Sequence, residues 1–370
     1  MPEIKEPNKK TSNDLSAIEA VLLTARPIIS KKMYLRLSSD ESAIQDIFRS
    51  FFEAECSIER VRGANQLGFD SDAWSRLAET GAPGMCLPED VGGGGAPLTT
   101  GAIVADLVGE YIAPLPFIEH LAASRLLSKV APDHEDLPLL ASGEKIASMG
   151  LQPIVGSSPN LIPAGAIADT VIVFDGNNLV LETERESTNH IPNMADLPLA
   201  NRPLESGDLI ASGEKAQQAF SQARSEWQAL MAVALSGLGR KAVDLGVSYA
   251  KERYQFDVLI GSFQALQHGL ASAITDVEGA YFLSNRAISA LETPNEPAET
   301  LAGMAFLLAS EAAMSAAATS LQYHGGYGFA EEYDIQLYYR RAKGWPLQLG
   351  NPGREYQRIA DLCLPSGKVA

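Results

Sequence analysis

The sequence predicts a mainly α protein with a small central β domain, built in a helix–strand–helix order. Three observations support this prediction. Apolar residues recur at helical spacing in the first region, short β-branched runs between turn signals occupy the middle, and long Ala/Leu/Val-rich stretches fill the last part. We therefore expect a poorly ordered leader, an N-terminal helical domain, a truncated middle β domain and a C-terminal four-helix bundle, at residues 1–35, 36–147, 148–215 and 216–370, respectively.

The N-terminal region contains a succession of helix signals. Ser39-Asp40-Glu41 has the composition of a helix start, and apolar residues follow it at helical spacing. A glycine run after Pro88 indicates a loop, and Pro114 stops the next helix. The first predicted helix begins at Ser39, and the others span about Asp72–Thr80, Thr99–Tyr111 and Phe117–Lys129.

The middle region differs in composition, with frequent Pro, Gly, Asn and Ser residues. Thr170–Phe174 is a β-branched, apolar run, and Leu179–Leu181 is a second apolar run. The residues between them, Asp175-Gly176-Asn177-Asn178, are typical of turns. The sequence therefore predicts a β-hairpin at this point.

The last part of the chain predicts a bundle of four long helices with short connections. Each is an apolar-striped stretch, and Pro294 and Pro297 mark one of the connections. The predicted helices are Gln217–Arg253, Gln264–Leu291, Glu299–Tyr323 and Pro352–Leu362.

Composition and charge narrow the possible functions. The 370 residues are 46% hydrophobic and 20% charged, close to the average for globular proteins, and the formal net charge is −17. A chain this acidic repels phosphate backbones, which argues against a nucleic-acid partner. The cysteines, Cys56, Cys86 and Cys363, are far apart and odd in number, which argues against disulfides and zinc. No other residues have convincing metal-ligand spacing.

No membrane span is expected. The chain begins with MPEIKEPNKK, which lacks the apolar region of a signal peptide. The longest uncharged run lies between Glu311 and Glu331 and is broken by Gln322, His324 and a glycine pair. We therefore expect a buried helix that runs into a turn, and a cytoplasmic protein.

Three motifs in the last third of the chain form an ordered set. The first is Glu252-Arg253-Tyr254-Gln255-Phe256, followed by Phe263-Gln264. The second is Gln322-Tyr323-His324-Gly325-Gly326-Tyr327-Gly328-Phe329, and the third is Tyr339-Arg340-Arg341-Ala342-Lys343. Together with the loop Leu87-Pro88-Glu89-Asp90-Val91-Gly92-Gly93, they resemble the acyl-CoA dehydrogenase family over about residues 40–365.

The chemistry of these residues suits a dinucleotide. Arg253 offers a bidentate fork for a pyrophosphate, and glycines let the backbone approach a ligand closely. The resemblance implies that the motifs bind the FAD of a neighbouring subunit. The residues assigned to this FAD half-site are Arg253, Gln255, Phe256, Phe263, Gln264, Gln322, Gly325 and Gly326. Taken singly, each also fits a structural role at a helix end, in a turn or in the core. One departure from the family pattern is Asp257, where Gly is usual.

The resemblance also implies a reaction, in which a carboxylate removes the α-proton of an acyl-CoA thioester while hydride leaves the β-carbon. In most members this Glu follows the Arg-x-x-Lys segment by six residues, a position that falls on Leu349, which cannot accept a proton. Other members place the base on the first bundle helix, at a position near Trp227. Glu226 is adjacent but points about 100° away on a helix, so the catalytic base stays unassigned, with Glu226 as a candidate.

In family members, a Thr-Glu-Pro strand and a Trp-containing strand of the middle domain contact the flavin ring. Neither strand is found in the middle domain of this sequence. We therefore expect a subunit of a heteromeric, FAD-dependent acyl-CoA dehydrogenase, resembling those of bacterial steroid side-chain degradation. The resemblance implies an acyl-CoA substrate, a second subunit of the same family and an electron-transfer flavoprotein as partner. Two alternatives are a complete homo-oligomeric enzyme with Glu226 as a displaced base, and a scaffold or regulatory subunit that binds no flavin.

Overall fold

The computed structural model describes residues 37–154, 161–183, 190–202 and 207–364. The predicted leader, residues 1–35, lies outside these ranges. The described residues from Ser38 onward belong to one compact unit. It is mostly helical with a small sheet, which confirms the predicted fold class.

The first region consists of helices separated by tight turns. Helix α1 begins with a capping box, in which the Ser38 hydroxyl accepts from the Glu41 amide and the Glu41 carboxylate accepts from the Ser38 amide. The four predicted helices are present, and two helices of six and five residues were missed because they are too short for a periodic pattern. The helices are α1 (Ser39–Glu55), α2 (Ile58–Gly63), α3 (Ser71–Glu79), α4 (Leu98–Glu110), α5 (Phe117–Val130) and α6 (Leu137–Ala141).

The central strands form a four-stranded sheet and a separate two-stranded pair. The sheet has the order β1-β3-β4-β6, with β1 parallel to β3 and the other pairs antiparallel. The predicted hairpin is confirmed, and the Asp175 carboxylate closes its turn by accepting from the amides of Asn177 and Asn178. The strands are β1 (Ala147–Met149), β2 (Leu161–Ile162), β3 (Thr170–Phe174), β4 (Asn178–Glu182), β5 (Ala200–Asn201) and β6 (Asp208–Ser212).

Three long helices dominate the last part of the chain. All four predicted helices are present, the last as the 12-residue helix Pro352–Cys363, and a further 10-residue helix that precedes it was not predicted. A small hairpin, strands β7 and β8, joins the first two long helices. The elements are α7 (Gly213–Glu252), β7 (Tyr254–Gln255), β8 (Val258–Leu259), α8 (Gln264–Leu291), α9 (Ala298–His324), α10 (Ile335–Gly344) and α11 (Pro352–Cys363).

Helix α7 is the centre of the core, and α4 crosses it at very short range. A Cβ atom at Gly109 would lie 1.7 Å from the Ala234 carbonyl oxygen, and one at Gly237 would lie 2.2 Å from the Asp106 carbonyl oxygen. Two glycines facing each other's helix therefore allow this contact, which no larger side chain would permit. The crossing fixes the N-terminal helices onto the bundle.

Helix α9 is the predicted buried helix that runs into a turn. The segment Ala298–Phe329 is long and apolar enough to cross a membrane by length and composition, but 61% of its apolar window is buried inside the protein. The helix packs against α7, α8, α10 and α11, and Phe306 meets Trp227 of α7 with ring centroids 5.7 Å apart. It is a core helix of the bundle.

Candidate functional site

The first motif forms the end of α7 and the β7–β8 hairpin. Arg253 caps α7, and its carbonyl oxygen accepts from the Ile260 amide, which anchors the hairpin to the helix end. The turn residues Phe256 and Asp257 have φ values of 54° and 61°. Two consecutive left-handed residues make a hairpin turn of the type that favours glycine, so Asp257 costs conformational energy where the family usually has Gly.

The guanidinium of Arg253 lies over an aromatic ring of the second motif. Its central carbon is 5.3 Å from the centre of the Tyr327 ring, within the range of a cation–π contact. In the part of the chain that the structure describes, this guanidinium makes no hydrogen bond or ion pair. Its hydrogen-bond donors are therefore available to a ligand.

Two further contacts hold the second motif against the first. The Tyr323 hydroxyl donates to the Ala265 carbonyl oxygen at 3.4 Å, which joins the end of α9 to the start of α8. The His324 ring stacks on Tyr249 of α7 with centroids 4.1 Å apart, and its Nδ1 lies 2.7 Å from the Ser320 carbonyl oxygen. His324 is buried, as a packing residue should be.

The hairpin exposes apolar and amide side chains together. The Phe256 side chain is 86% exposed and meets the 37% exposed Phe263 edge to face, with ring centroids 6.3 Å apart. Gln255, Gln264 and Gln322 are also exposed. A phenyl ring held in solvent on a strained turn is unusual for a stable surface, and this arrangement suits a face that a ligand or a second chain covers.

The glycine pair differs in what each residue does. Gly325 has φ 61° and ψ −139°, a conformation that L side chains rarely adopt, and it ends α9. Gly326 has no such φ, and a Cβ atom there would have nothing within 4 Å. The backbone conformation explains Gly325, whereas no contact among the described residues requires a glycine at position 326.

The structure therefore brings the predicted half-site to one end of α7, α8 and α9. The assigned residues lie on the hairpin, at the first turn of α8 and at the last turn of α9. This end of the helices combines a cation with free hydrogen-bond donors, exposed amides, flat apolar surface and a glycine without a side chain. These are features that suit binding of a dinucleotide.

The two positions that the resemblance links to a base hold no available carboxylate. Leu349 is 4% exposed, and its carbonyl oxygen accepts from Gln152 Nε2 at 2.7 Å. Glu226 lies in ion pairs, 2.8 Å from Arg125 Nε and 2.5 Å from Lys129 Nζ. Burial raises the pKa of Glu226, but the two cations outweigh burial and hold that pKa below its usual value.

The third motif has a structural role. Arg340 donates to the Met194 carbonyl oxygen at 2.6 Å and pairs with Asp196 at 2.7 Å. It therefore fastens α10 to the loop before β5. Arg341 is 3% exposed, and burial lowers its pKa to about 10.

Glu119 is a buried carboxyl group that the sequence did not single out. It lies in the first turn of α5 and is 8% exposed. Burial raises the pKa of Glu119 to about 7, although its own amide, Trp227 and Gln348 act in the opposite direction. The available signal was a Glu that follows the apolar, proline-containing run Ile112–Ile118.

The cysteines of the described chain are all free thiols. Cys56 and Cys86 are buried, and Cys363 is exposed. Burial raises the pKa of Cys56 to about 12, which makes it unreactive. Within the described ranges, no group of three or more His, Cys, Asp and Glu residues is placed to hold a metal ion.

Comparison with known proteins gives two family matches and several relatives. Residues 38–131 match the acyl-CoA dehydrogenase N-terminal domain, and residues 215–361 match the acyl-CoA dehydrogenase C-terminal domain. The chain is 31% identical to acyl-CoA dehydrogenase IpdE2 of Mycolicibacterium smegmatis over 326 residues, covering 87% of this chain and 98% of the relative. It is 32% identical to IpdE2 of Mycobacterium tuberculosis over 303 residues, covering 81% and 89%.

Solved structures agree on the fold. A variant of the Tcur3481–Tcur3483 steroid ACAD superposes with a TM-score of 0.80 at 23% identity, covering 87% of this chain and 97% of that one. The ChsE4–ChsE5 complex from Mycobacterium tuberculosis has a TM-score of 0.77 at 22% identity, covering 89% and 98%. Members of the matched family are flavoproteins that oxidise CH–CH groups. The chain belongs to the acyl-CoA dehydrogenase family.

Proposed function

We propose that the chain is a subunit of an FAD-dependent acyl-CoA dehydrogenase that works together with a second, unlike subunit of the same family. It contributes the Arg253 half-site to a flavin seated mainly in that partner. The reaction is α,β-dehydrogenation of an acyl-CoA thioester in the cytoplasm, with an electron-transfer flavoprotein as electron acceptor.

The observation that carries this proposal is the unpaired guanidinium of Arg253, among the described residues, beside the exposed Phe256 and the open Gly326. Arg253 would neutralise a pyrophosphate through charge-assisted hydrogen bonds, and Phe256 and Phe263 would cover an apolar ring. The absence of a side chain at Gly326 leaves room for close backbone approach. When bound, FAD supplies the hydride acceptor.

The base is proposed to come from the partner subunit. Leu349 occupies the usual position and has no group that takes a proton. A carboxylate held by two cations, as Glu226 is, loses basicity because protonation would leave both cations unpaired. These features favour a divided enzyme over a complete homo-oligomer with a displaced base.

The relatives support a steroid-derived substrate. One solved relative is described as a steroid ACAD, and another is a complex of two different chains, ChsE4 and ChsE5. We propose a steroid side-chain CoA ester as the substrate class, since a site divided between unlike subunits suits a bulky acyl group.

The test is expression of the chain alone and together with a family member that has a Glu at the usual base position. We expect a colourless, inactive protein alone, and a yellow complex that oxidises acyl-CoA when both chains are present. A yellow, active homo-oligomer from this chain alone would contradict the proposal. A stable complex whose flavin content is unaffected by Arg253→Ala would instead indicate a scaffold.

A further inference from the structure

The Arg253 guanidinium is held by an aromatic ring and not by a carboxylate. Its central carbon lies 5.3 Å from the centre of the Tyr327 ring, and among the described residues the guanidinium has no ion pair or hydrogen bond. A carboxylate would accept the same N–H donors that an anionic ligand needs, whereas an aromatic face attracts the cation electrostatically. The ring therefore holds the cation without using its hydrogen-bond donors.

This way of holding Arg253 favours ligand binding through entropy. A long arginine side chain has many rotamers, and a ligand that orders it must offset their loss. A side chain that is already ordered loses less entropy when the ligand binds. The contact with Tyr327 joins the end of α7 to the turn after α9 within one chain, so it needs no second subunit.

Tyr327 is itself held by neighbouring aromatic rings. Its ring centre lies 5.5 Å from that of Tyr333. The Tyr333 ring meets Tyr249 of α7 and His324 of α9 edge to face, with centroids 6.1 Å and 5.9 Å apart. Aromatic pairs at these separations attract each other beyond the burial of their surface. Tyr327 remains 47% exposed, so its ring is fixed on the side of the cluster and open on the surface.

The far end of the segment that carries Tyr327 is fastened to the N-terminal helices. Arg62 of α2 pairs with Asp334 at 2.6 Å and also donates to the Glu331 carbonyl oxygen. Between these anchors and the ring, the Ala330 amide donates to the Tyr327 carbonyl oxygen at 3.0 Å. The segment is therefore fixed at both ends, by α9 and by α2.

We propose that Tyr327 is a positioning residue, which orders the Arg253 guanidinium for the pyrophosphate of FAD and leaves its hydrogen-bond donors free. Its effect on FAD binding passes through Arg253. The ligand in this inference rests on the proposed function, whereas the ordering of Arg253 by Tyr327 does not depend on that function.

The first test follows Arg253 by NMR in the full-length chain alone, with its Nε–Hε signal assigned as the one lost in Arg253→Ala. Ring currents shift protons that lie over an aromatic face. We expect an upfield shift and restricted motion of this group in the wild type and in Tyr327→Phe, and the loss of both in Tyr327→Leu. Tyr327→Gln is a second non-aromatic variant, for use if Tyr327→Leu does not fold.

A matched control for this test lies in the same turn. Phe329→Leu removes a ring that is 74% exposed and should leave the Arg253 signal unchanged. An Arg253 signal that does not respond to the loss of the ring at position 327 would overturn the proposal.

The second test measures the FAD affinity of the two-subunit complex by dilution. Tyr327→Leu should weaken FAD binding roughly two- to fivefold, the effect of losing an exposed cation–π contact, and Tyr327→Phe should bind FAD as the wild type does. In a protein that already carries Arg253→Ala, Tyr327→Leu should cause no further loss. An equal loss in both backgrounds would show that Tyr327 acts independently of Arg253, and would overturn the proposal.

Failure of the proposed function and failure of this inference give different results. If the complex binds no flavin, or if Arg253→Ala leaves FAD affinity unchanged, the proposed function fails and the FAD part of the inference fails with it, while NMR still decides whether Tyr327 orders Arg253. If Arg253→Ala weakens FAD binding and Tyr327→Leu does not, the half-site is supported and the positioning role of Tyr327 is wrong.

Discussion

The guanidinium carbon of Arg253 lies 5.3 Å from the centre of the Tyr327 ring. This contact joins two motifs that are separated in sequence, and it holds a cation that has no other partner among the described residues. Replacing Arg253 by Ala should reduce FAD affinity at least tenfold, because charge-assisted hydrogen bonds contribute roughly 1.5–3 kcal/mol. The measurement is the flavin-to-protein absorbance ratio of the purified complex during dilution.

Two control variants make this measurement specific. Arg253→Lys keeps the charge but loses the bidentate fork, so its affinity should be intermediate. Tyr327→Phe keeps the aromatic ring and should leave the flavin content close to that of the wild type. Equal flavin retention in the wild type and in Arg253→Ala would contradict the assignment of Arg253 to an FAD half-site.

The glycine pair at the end of α9 offers a matched comparison. Gly325→Ala should lower the free energy of unfolding by about 1 kcal/mol, because its positive φ disfavours any side chain. Gly326→Ala should fold with nearly normal stability, since a Cβ atom there meets nothing. If a ligand approaches this backbone, Gly326→Ala should nevertheless weaken FAD binding, which is measured by the same dilution assay.

Asp257 should be a site of stored strain. Its φ of 61° suggests that Asp257→Gly, which restores the usual family residue, raises the free energy of unfolding by about 1 kcal/mol. Asp257→Ala keeps a Cβ atom and should give no such gain. Chemical denaturation of the three proteins measures the difference, and an equal gain in both variants would point to charge rather than to backbone strain.

Glu226→Gln separates the displaced-base alternative from a structural role. Removing the carboxylate leaves Arg125 and Lys129 without their partner, so stability should fall by roughly 3–5 kcal/mol, the range for breaking a buried ion pair. Turnover per flavin in the complex should persist at a temperature where the variant is folded. Complete loss of turnover in a folded, flavin-loaded variant would favour Glu226 as the base.

Glu355 links α11 to α7 and should make the protein sensitive to acid. Its carboxylate is 2.6 Å from Arg224 Nη2 and 2.7 Å from Gln228 Nε2, and 2.6 Å from Arg358 Nη2. Burial acts to raise the pKa of Glu355, but these hydrogen bonds and charges lower it to about 2.

The sign of this pH effect follows from the lowered pKa. The stabilisation by Glu355 is complete above the unfolded pKa and is lost as pH falls towards about 2. Glu355→Gln should therefore be less stable than the wild type at pH 7, with a smaller difference at pH 3, in thermal unfolding. Glu278→Gln is the control, because the Glu278 side chain is 40% exposed and its ion pair with Arg240 should contribute less than about 1 kcal/mol.

Local sequence patterns were sufficient for much of the fold. The Asp175–Asn178 turn and the long apolar helices depend on neighbouring residues, and both are present. The half-site motifs also lie at helix ends, as the helix-stop signals in the sequence predicted. Helices α2 and α6 gave no pattern because they are too short.

Long-range contacts were the part that sequence could not supply. In the sequence, Arg340 was used only to locate the position of Leu349. Its ion-pair partner, Asp196, could not be predicted because it lies 144 residues earlier in the chain. The pKa of Glu119 is also influenced by Trp227 and Gln348, which are distant in sequence. The left-handed φ of Phe256 also could not be inferred, since a bulky residue rarely adopts it.

The length of helix α7 determines how substitutions at Arg253 and at Glu119 should combine. It runs without interruption from Gly213 to Glu252, so Trp227 and Arg253 are separated by about 40 Å along its axis at 1.5 Å per residue. Sites this far apart with no shared partners behave additively, within about 0.5 kcal/mol. A protein with both Arg253 and Glu119 replaced should therefore show the sum of the two single effects.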